Sequence, residues 1–334
     1  MPKFLLLRFS SIGDIVLTTP VIRCLKQQVP DAEVHFCTKK AYRSLIEPNP
    51  YVDKVLTYDT DLNTLLEQLK EERYDYVIDL HHNLRTALIK TRLLLARPRL
   101  QTFSFDKLNW RKWLYVRFKI NTLPSVHIVD RYMDTLRSFG VINDEQGLDY
   151  FIPYKDQVEP EWLPDTHRGG FVAYAIGGQH NTKKLPVLRM IELCRKINHP
   201  VVLLGGREDV EAGEAIREAL GEALIYNACG KYNLNQSASL LQMSRVVFSH
   251  DTGLMHIAAA LKKKVYSIWG NTTPALGMYP YKTPYVILEN NGLGCRPCSK
   301  IGYAQCPLKH FKCMNELSFD FEVKELRRQP RSRR

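Results

Sequence analysis

The chain has 334 residues, 45% hydrophobic and 25% charged, with a formal net charge of +12. That balance is of a soluble globular protein of about two domains. Its apolar runs are too short to span a bilayer, "FLLLRF" meets Arg8 too soon for a secretory leader, and the eight cysteines suit a reducing cytoplasm.

In chain order, "KFLLLRF" (3–9) reads as a buried strand, 13–29 as a helix, and 32–38, 53–59 and 74–80 as strands, with a helix over 62–73. The polar, proline-containing stretch 153–170 reads as a linker. The pattern then restarts with strands at 170–176, 200–206, 222–228, 245–249 and 264–270. Helices at 185–197, 208–220, 235–244 and 253–261 alternate with them. This is an α/β chain of two Rossmann-like halves, 1–155 and 165–334, facing across a cleft. The second half also holds a cysteine-rich segment, 295–313, and a C-terminal helix with a basic tail.

The chemistry gathers where strands end. "SHDTGLMHIAAAL" (249–261) brings a strand to Asp251, turns at Gly253 and starts a helix whose free N–H groups form an anion site. Thr252 and His256 share a face if the helix starts at Thr252. A lone Asp-Thr-Gly in a βαβ setting is not an aspartic protease; the plainer alternative is Asp251 as a helix cap. "FSSIGDIVLTTP" (9–20) repeats the arrangement: Ser11 and Gly13 lie in a small-residue loop, and Asp14 opens a helix as a candidate general base. The loop is neither a Walker A sequence nor G-x-G-x-x-G. "AIGGQHNTKKLP" (175–186) offers Lys183 and Lys184 to phosphate oxygens, and "LLGGREDVE" (203–211) offers Glu208 and Asp209 to ribose hydroxyls. Three such loops in one half point to a nucleoside diphosphate.

"FSSIGDIVLTTPVIRCLK", "NTKKLP", "GGREDVE" and "DTGLMHIAAAL" followed by "SIWGNTTP" resemble the ADP-heptose:lipopolysaccharide heptosyltransferases, glycosyltransferase family 9. The resemblance covers nearly the whole chain. It implies a GT-B fold, a nucleotide-sugar donor (ADP-heptose) in the C-terminal domain, a lipopolysaccharide inner-core acceptor in the N-terminal domain, and inversion with no cofactor required for catalysis. By position, Asp14 would be the base, Lys183 would contact the donor phosphates, Glu208 the nucleoside, and Asp251, Thr252, Gly253 and His256 the diphosphate and sugar. The family often has K-x-W-P where this chain has Lys183-Lys184-Leu185-Pro186, which leaves the donor pocket's shape open.

Charge is uneven. Residues 81–119 carry ten Lys/Arg against Asp106, with Trp110, Trp113 and Tyr115 interleaved, and the tail RRQPRSRR adds five arginines. The stretch fits an anionic lipid-linked acceptor or the inner face of the cytoplasmic membrane, with Arg85 the best single acceptor contact; the alternative is a solvated face. Asp59-Thr60-Asp61 reads as a turn or helix cap rather than a metal site, and His81-His82 lacks matching acids. Cys295, Cys298, Cys306 and Cys313 approach structural-zinc spacing, with free thiols as the alternative. The competing functions are a GT-B enzyme using a UDP- or GDP-linked sugar, a sugar-nucleotide epimerase, and a basic nucleic-acid-binding protein, for which no recognition motif is present.

Overall fold

The structure, a computed structural model, describes residues 1–326; the basic tail 327–334 lies outside the described residues. Apolar runs buried on both faces make strands that pair in parallel. β1 Lys3–Leu7, β2 Glu33–Lys39, β3 Lys54–Tyr58, β4 Tyr76–Asp79 and β5 Gln101–Ser104 form one sheet in the order β3-β2-β1-β4-β5. β6 Val172–Ala175, β7 Val201–Leu204, β8 Ile225–Asn227, β9 Val247–His250, β10 Val265–Trp269 and β11 Tyr285–Glu289 form the second, in the order β11-β10-β9-β6-β7-β8. The expected two-sheet architecture is present.

Three local readings change. The helix expected over 13–29 is two, Ile12–Val16 and Thr19–Gln28. The hydroxyls of Thr18 and Thr19 donate back to the carbonyls of Ile15 (2.7 Å) and Val16 (2.8 Å), and Pro20 has no N–H with which to continue the first ladder. β5 and β11 were not anticipated: "QTFS" and "YVILE" are short, partly exposed edge strands without a buried apolar run. At the far end, the described part of the expected C-terminal helix is one short helix, Lys312–Asn315, followed by a 3-10 turn, Lys324–Leu326.

The passage between the sheets is held from both sides. Arg23, on the Thr19–Gln28 helix and 2% exposed, binds both carboxylate oxygens of Asp144 (2.7 and 2.8 Å) and the Gly147 carbonyl (2.8 Å), and pairs with Asp149. Lys262, just after the Gly253–Ala260 helix, donates to the carbonyls of Gln146 and Leu148. A guanidinium so buried is tolerable only while its carboxylates stand beside it. Arg23→Ala should therefore lower stability by about 3–5 kcal/mol, the cost of stranding buried charge; a urea-unfolding midpoint equal to wild type would refute this.

Candidate active site

Each sheet reverses its strand order once, between β1 and β4 and between β6 and β9. At such a switch point neighbouring loops leave in opposite directions and open a crevice at the strands' carboxyl ends. The predicted residues lie there: Ser11, Gly13 and Asp14 follow β1, Lys183 and Lys184 follow β6, Glu208 follows β7, and Asp251, Thr252 and Gly253 follow β9. The two crevices meet where the Ile12–Val16 and Gly253–Ala260 helices touch at their N-termini. A methyl group on Gly13 would fall 2.6 Å from His256 Cδ2, and one on Gly253 would fall 2.7 Å from Ile12 Cγ2.

Asp14 is fixed on three sides. Arg8 Nη2 lies 2.6 Å from its Oδ1, while the Ser11 backbone N–H and hydroxyl donate to its Oδ2 at 3.0 and 2.9 Å. Arg8, 7% exposed, also donates to the carbonyl of Ser10 and to that of Leu80 at the end of β4, so it bridges the switch point. Burial pushes the Asp14 pKa up, but Arg8 and the Ser11 hydrogen bonds outweigh it and hold the carboxyl below its ordinary range. Of roughly four lone-pair sites on a carboxylate three are used, which leaves one on Oδ1 to accept from a ligand.

Across the contact, Thr252 is the N-cap and the helix begins at Gly253, so Thr252 and His256 do not share a helical face as expected. No side chain caps this helix, which removes the reading of Asp251 as its cap and leaves the first N–H groups free. Asp251 Oδ2 instead pairs with Lys183 Nζ at 2.7 Å and accepts from Thr272 Oγ1 at 2.9 Å. Lys184 pairs with Asp209 at 3.2 Å, and Asp209 accepts the Gly206 N–H at 3.0 Å, so of the two acids after β7 only Glu208 is exposed. Its carboxylate folds over Gly206, where a methyl group would meet it at 2.3 Å.

Several buried polar atoms around this contact have no partner: His256 Nδ1, His81 Nδ1, Arg131 Nε, and both side-chain polar atoms of Asn271. Each such atom costs about 1–3 kcal/mol, and His81 and His256, both within electrostatic reach of Asp14, are free to meet a ligand. His81 and His256 are each held down to about 4, chiefly by burial, so both are neutral near pH 7. His256 can thus give a diphosphate a hydrogen bond but not a formal charge.

The cations divide. Arg85 is half-buried over the Tyr58 ring (4.9 Å) and the Phe9 ring (5.8 Å). Arg131, 6% exposed, has only the Asp106 carbonyl (3.3 Å) and no carboxylate partner among the described residues. Lys112 is pushed down to about 8 by burial and then by Arg131, Lys300 and Lys107, with Asp14 pulling the other way. Lys107 is lowered by burial, Arg8 and Lys300. Among the described residues Arg131, Lys112, Lys107 and Lys300 have no carboxylate partner, and Lys107 and Lys112 lie within electrostatic reach of Asp14. Sequence reading did not single out Arg131, Asn271 or Lys300, although Asn271 lies in the quoted "SIWGNTTP" and Lys300 in the cysteine-rich segment. Only the charge of 81–119 flagged Lys107 and Lys112.

The four clustered cysteines are free and intermediate to buried. Cys298 Sγ lies 3.1 Å from the Cys295 carbonyl and Cys295 Sγ lies 4.0 Å from His310 Nε2. Among the described residues, the one group of three or more potential ligand atoms within 4.8 Å of one another is Glu33, His35 and Glu72, so the sulfurs do not stand together as the expected zinc set. That trio, at the opposite ends of the strands, is neutralised by Lys3 and Lys54. The cysteine segment instead braces the cleft. Arg296 donates to the carbonyls of Gly270 and Thr272, and Tyr303 exchanges hydrogen bonds with Thr182. Asp61 caps the Leu62–Glu71 helix, accepting from Asn63 N at 2.8 Å, as the turn-or-cap reading of Asp59-Thr60-Asp61 expects.

Because the Gly13 position faces a buried ring rather than a flexible tip, Gly13→Ala should destabilise the fold by about 1–3 kcal/mol, the usual cost of overpacking. An unchanged denaturation midpoint would show that the two helices do not meet this closely.

The family model for glycosyltransferase family 9 (heptosyltransferase) matches residues 62–311, well over half the chain. Lipooligosaccharide heptosyltransferase 2 of Haemophilus influenzae is 24% identical over 294 residues, covering 79% of this chain and 82% of that protein. A family 9 glycosyltransferase structure from Veillonella parvula superposes with a TM-score of 0.71 at 21% identity over 86% of each chain. The Escherichia coli ADP-heptose lipopolysaccharide heptosyltransferase II structure superposes with a TM-score of 0.66 at 20% identity, over 94% of this chain and 98% of that one. The chain is a GT-B glycosyltransferase, and it belongs to glycosyltransferase family 9, the heptosyltransferases.

Proposed function

We propose that the enzyme moves heptose from ADP-heptose to an inner-core sugar of a lipopolysaccharide precursor, with Asp14 as general base. The observation that carries this is the meeting of an ionised, fixed carboxylate with an uncapped helix N-terminus at the junction of two switch-point crevices. The names of the relatives supply the sugar and the acceptor class. The free lone pair on Asp14 Oδ1 takes the acceptor's hydroxyl proton as that oxygen bonds to the anomeric carbon. The bond to the diphosphate breaks on the opposite face, and its electron pair leaves with ADP. The free N–H groups at Gly253, together with Lys183, meet the charge that grows there. Asp251, already balanced by Lys183, accepts from sugar hydroxyls, and Glu208 from the nucleoside.

On the acceptor side, Arg131, Lys112, Lys107 and Lys300 hold an anionic group of the acceptor, while Arg85, already stacked on Tyr58 and Phe9, shapes the wall beside it. The acceptor is lipid-linked, which places the enzyme peripherally on the inner membrane's cytoplasmic face. No helix among the described residues is long and apolar enough to cross a membrane. The cysteines enter this reading only as part of the brace around the cleft.

Calorimetry with ADP, UDP, GDP and CMP tests the donor, and a preference for UDP or GDP would keep the fold and change the sugar. Asp14→Asn should leave ADP affinity intact and lower kcat by roughly 10²–10⁴-fold, the usual worth of a positioned base; turnover within tenfold of wild type would remove Asp14 from the chemistry. Arg8 keeps the folded-state pKa of Asp14 depressed, so the wild-type acid limb should lie below the ordinary Asp value of about 3.9. Arg8→Gln should move that limb of the kcat/KM profile upward, since only the Ser11 hydrogen bonds would then oppose burial. A limb that stays in place would show that Arg8 does not set the ionisation.

A further inference from the structure

The Asn109–Phe118 helix buries none of its residues. Residues in left-handed conformation, Leu108 and Lys119, bound it on either side. At about 100° per residue, Trp110, Trp113, Leu114 and Arg117 share one side, and Lys112, Tyr115 and Val116 lie roughly opposite. The first side faces outward, Trp110 67% and Trp113 47% exposed, with Phe118 (55%) at its edge and Ile120 (54%) just beyond. The rings form one apolar unit, Trp110 stacking on Trp113 at 4.8 Å and Trp113 meeting Phe118 edge-on at 5.3 Å. Leu84, 91% exposed, lies at the same end of the sheet, because His82 Nδ1 ties the loop after β4 to the Phe105 carbonyl at 3.0 Å.

Large exposed aromatics are rarely left together on a soluble surface. Here they sit among cations: residues 107–119 carry Lys107, Arg111, Lys112, Arg117 and Lys119 and no acid. Arg111 and Arg117 have no carboxylate partner among the described residues. A second copy of the chain would set the same cations against each other, and the five-arginine tail has the same sign. An anionic bilayer satisfies both halves of the patch, since tryptophan rings settle at the headgroup level and arginines gain from acidic lipids.

We propose that the Asn109–Phe118 helix is the membrane-docking element, with Trp110, Trp113 and Phe118 entering the headgroup region of an acidic bilayer and Arg111 and Arg117 contacting lipid phosphates. This rests on the lipid-linked acceptor of the reading above and adds a geometry to it: one helix turns its aromatic side to the bilayer and Lys112 to the cleft. Lys119 fixes its end, donating to the carbonyls of Cys295 (3.0 Å) and Pro297 (2.7 Å) across the cleft. Docking would thus place the acceptor's anionic head beside Asp14 while its lipid stays in the membrane.

The test is co-sedimentation of the full chain with vesicles of phosphatidylethanolamine and phosphatidylglycerol, against phosphatidylcholine alone. Wild type should pellet with the acidic vesicles, less so as salt rises. The pairs Trp110→Ser/Trp113→Ser and Arg111→Glu/Arg117→Glu should each partition at least tenfold less. Brominated acyl chains should quench wild-type tryptophan fluorescence and spare the tryptophan variant. Unfolding midpoints should stay at wild type, because these side chains are exposed, and turnover on a delipidated soluble acceptor should be unchanged. Wild type remaining in the supernatant, pelleting unaffected by both pairs, or a tryptophan-dependent dimer or nucleic-acid complex in place of vesicle binding would overturn the proposal. If vesicle binding follows the prediction while no donor gives transfer, the docking helix stands and the assigned reaction falls.

Discussion

Everything in the cleft is referred to one contact, the approach of two helix N-termini across the junction of the sheets. The absence of a side chain at Gly13 and Gly253 lets the backbone of one helix lie against His256 and Ile12 of the other region. Two N-termini face to face concentrate unsatisfied N–H groups and positive helix-dipole ends in a small volume. Such an arrangement is costly unless anions occupy it. Asp14 supplies one from the protein, and in the proposed reaction a diphosphate supplies the other. The fold thus builds the demand for the ligand before the ligand arrives.

The fixed charges follow the same logic on a second level. Three acids at the site are matched by particular cations, Asp14 by Arg8, Asp251 by Lys183 and Asp209 by Lys184, while Glu208 stays exposed. These pairs hold side chains in place at little net gain in stability, since desolvation offsets most of the attraction. Arg131, Lys112, Lys107 and Lys300 are left over. An unmatched buried arginine is hard to retain for stability alone, and the electrostatics are readable only when the paired cations are set aside from the unpaired ones.

That distinction also explains what was legible in the sequence. β1, β6, β7, β9 and β10 lie within apolar runs, and the loops after β1, β7 and β9 carry glycines and acids at helix starts, so fold and donor loops could be read directly. β5 has no apolar run to announce it, β11 is only the short run "YVIL" on a partly exposed edge, and the break at Thr18–Thr19 depends on hydroxyls bonding back to carbonyls, which spacing does not reveal. Arg85 stood out because it follows a strand end, yet aromatic rings already cover it. Arg131 follows no such signal, and its importance comes from what is missing around it in three dimensions. The cysteine spacing is likewise a one-dimensional pattern, whereas Arg296 and Tyr303 give the segment its role through contacts 20 or more residues away in sequence.

Ionisation completes the argument. His256 and His81 are each held to about 4, mainly by burial, while Asp14 stays below the ordinary carboxylate range. Protonation of these groups therefore changes little between about pH 5 and 7, the span in which an unperturbed histidine would switch. Lys112 is the exception, poised at about 8 by burial and neighbouring cations. An anion bound beside it favours the protonated form and draws its pKa back up. The helix that turns its tryptophans outward thus carries, on its inner face, a cation whose charge a bound anion would stabilise, while the Asp14 carboxylate stays ionised through that span.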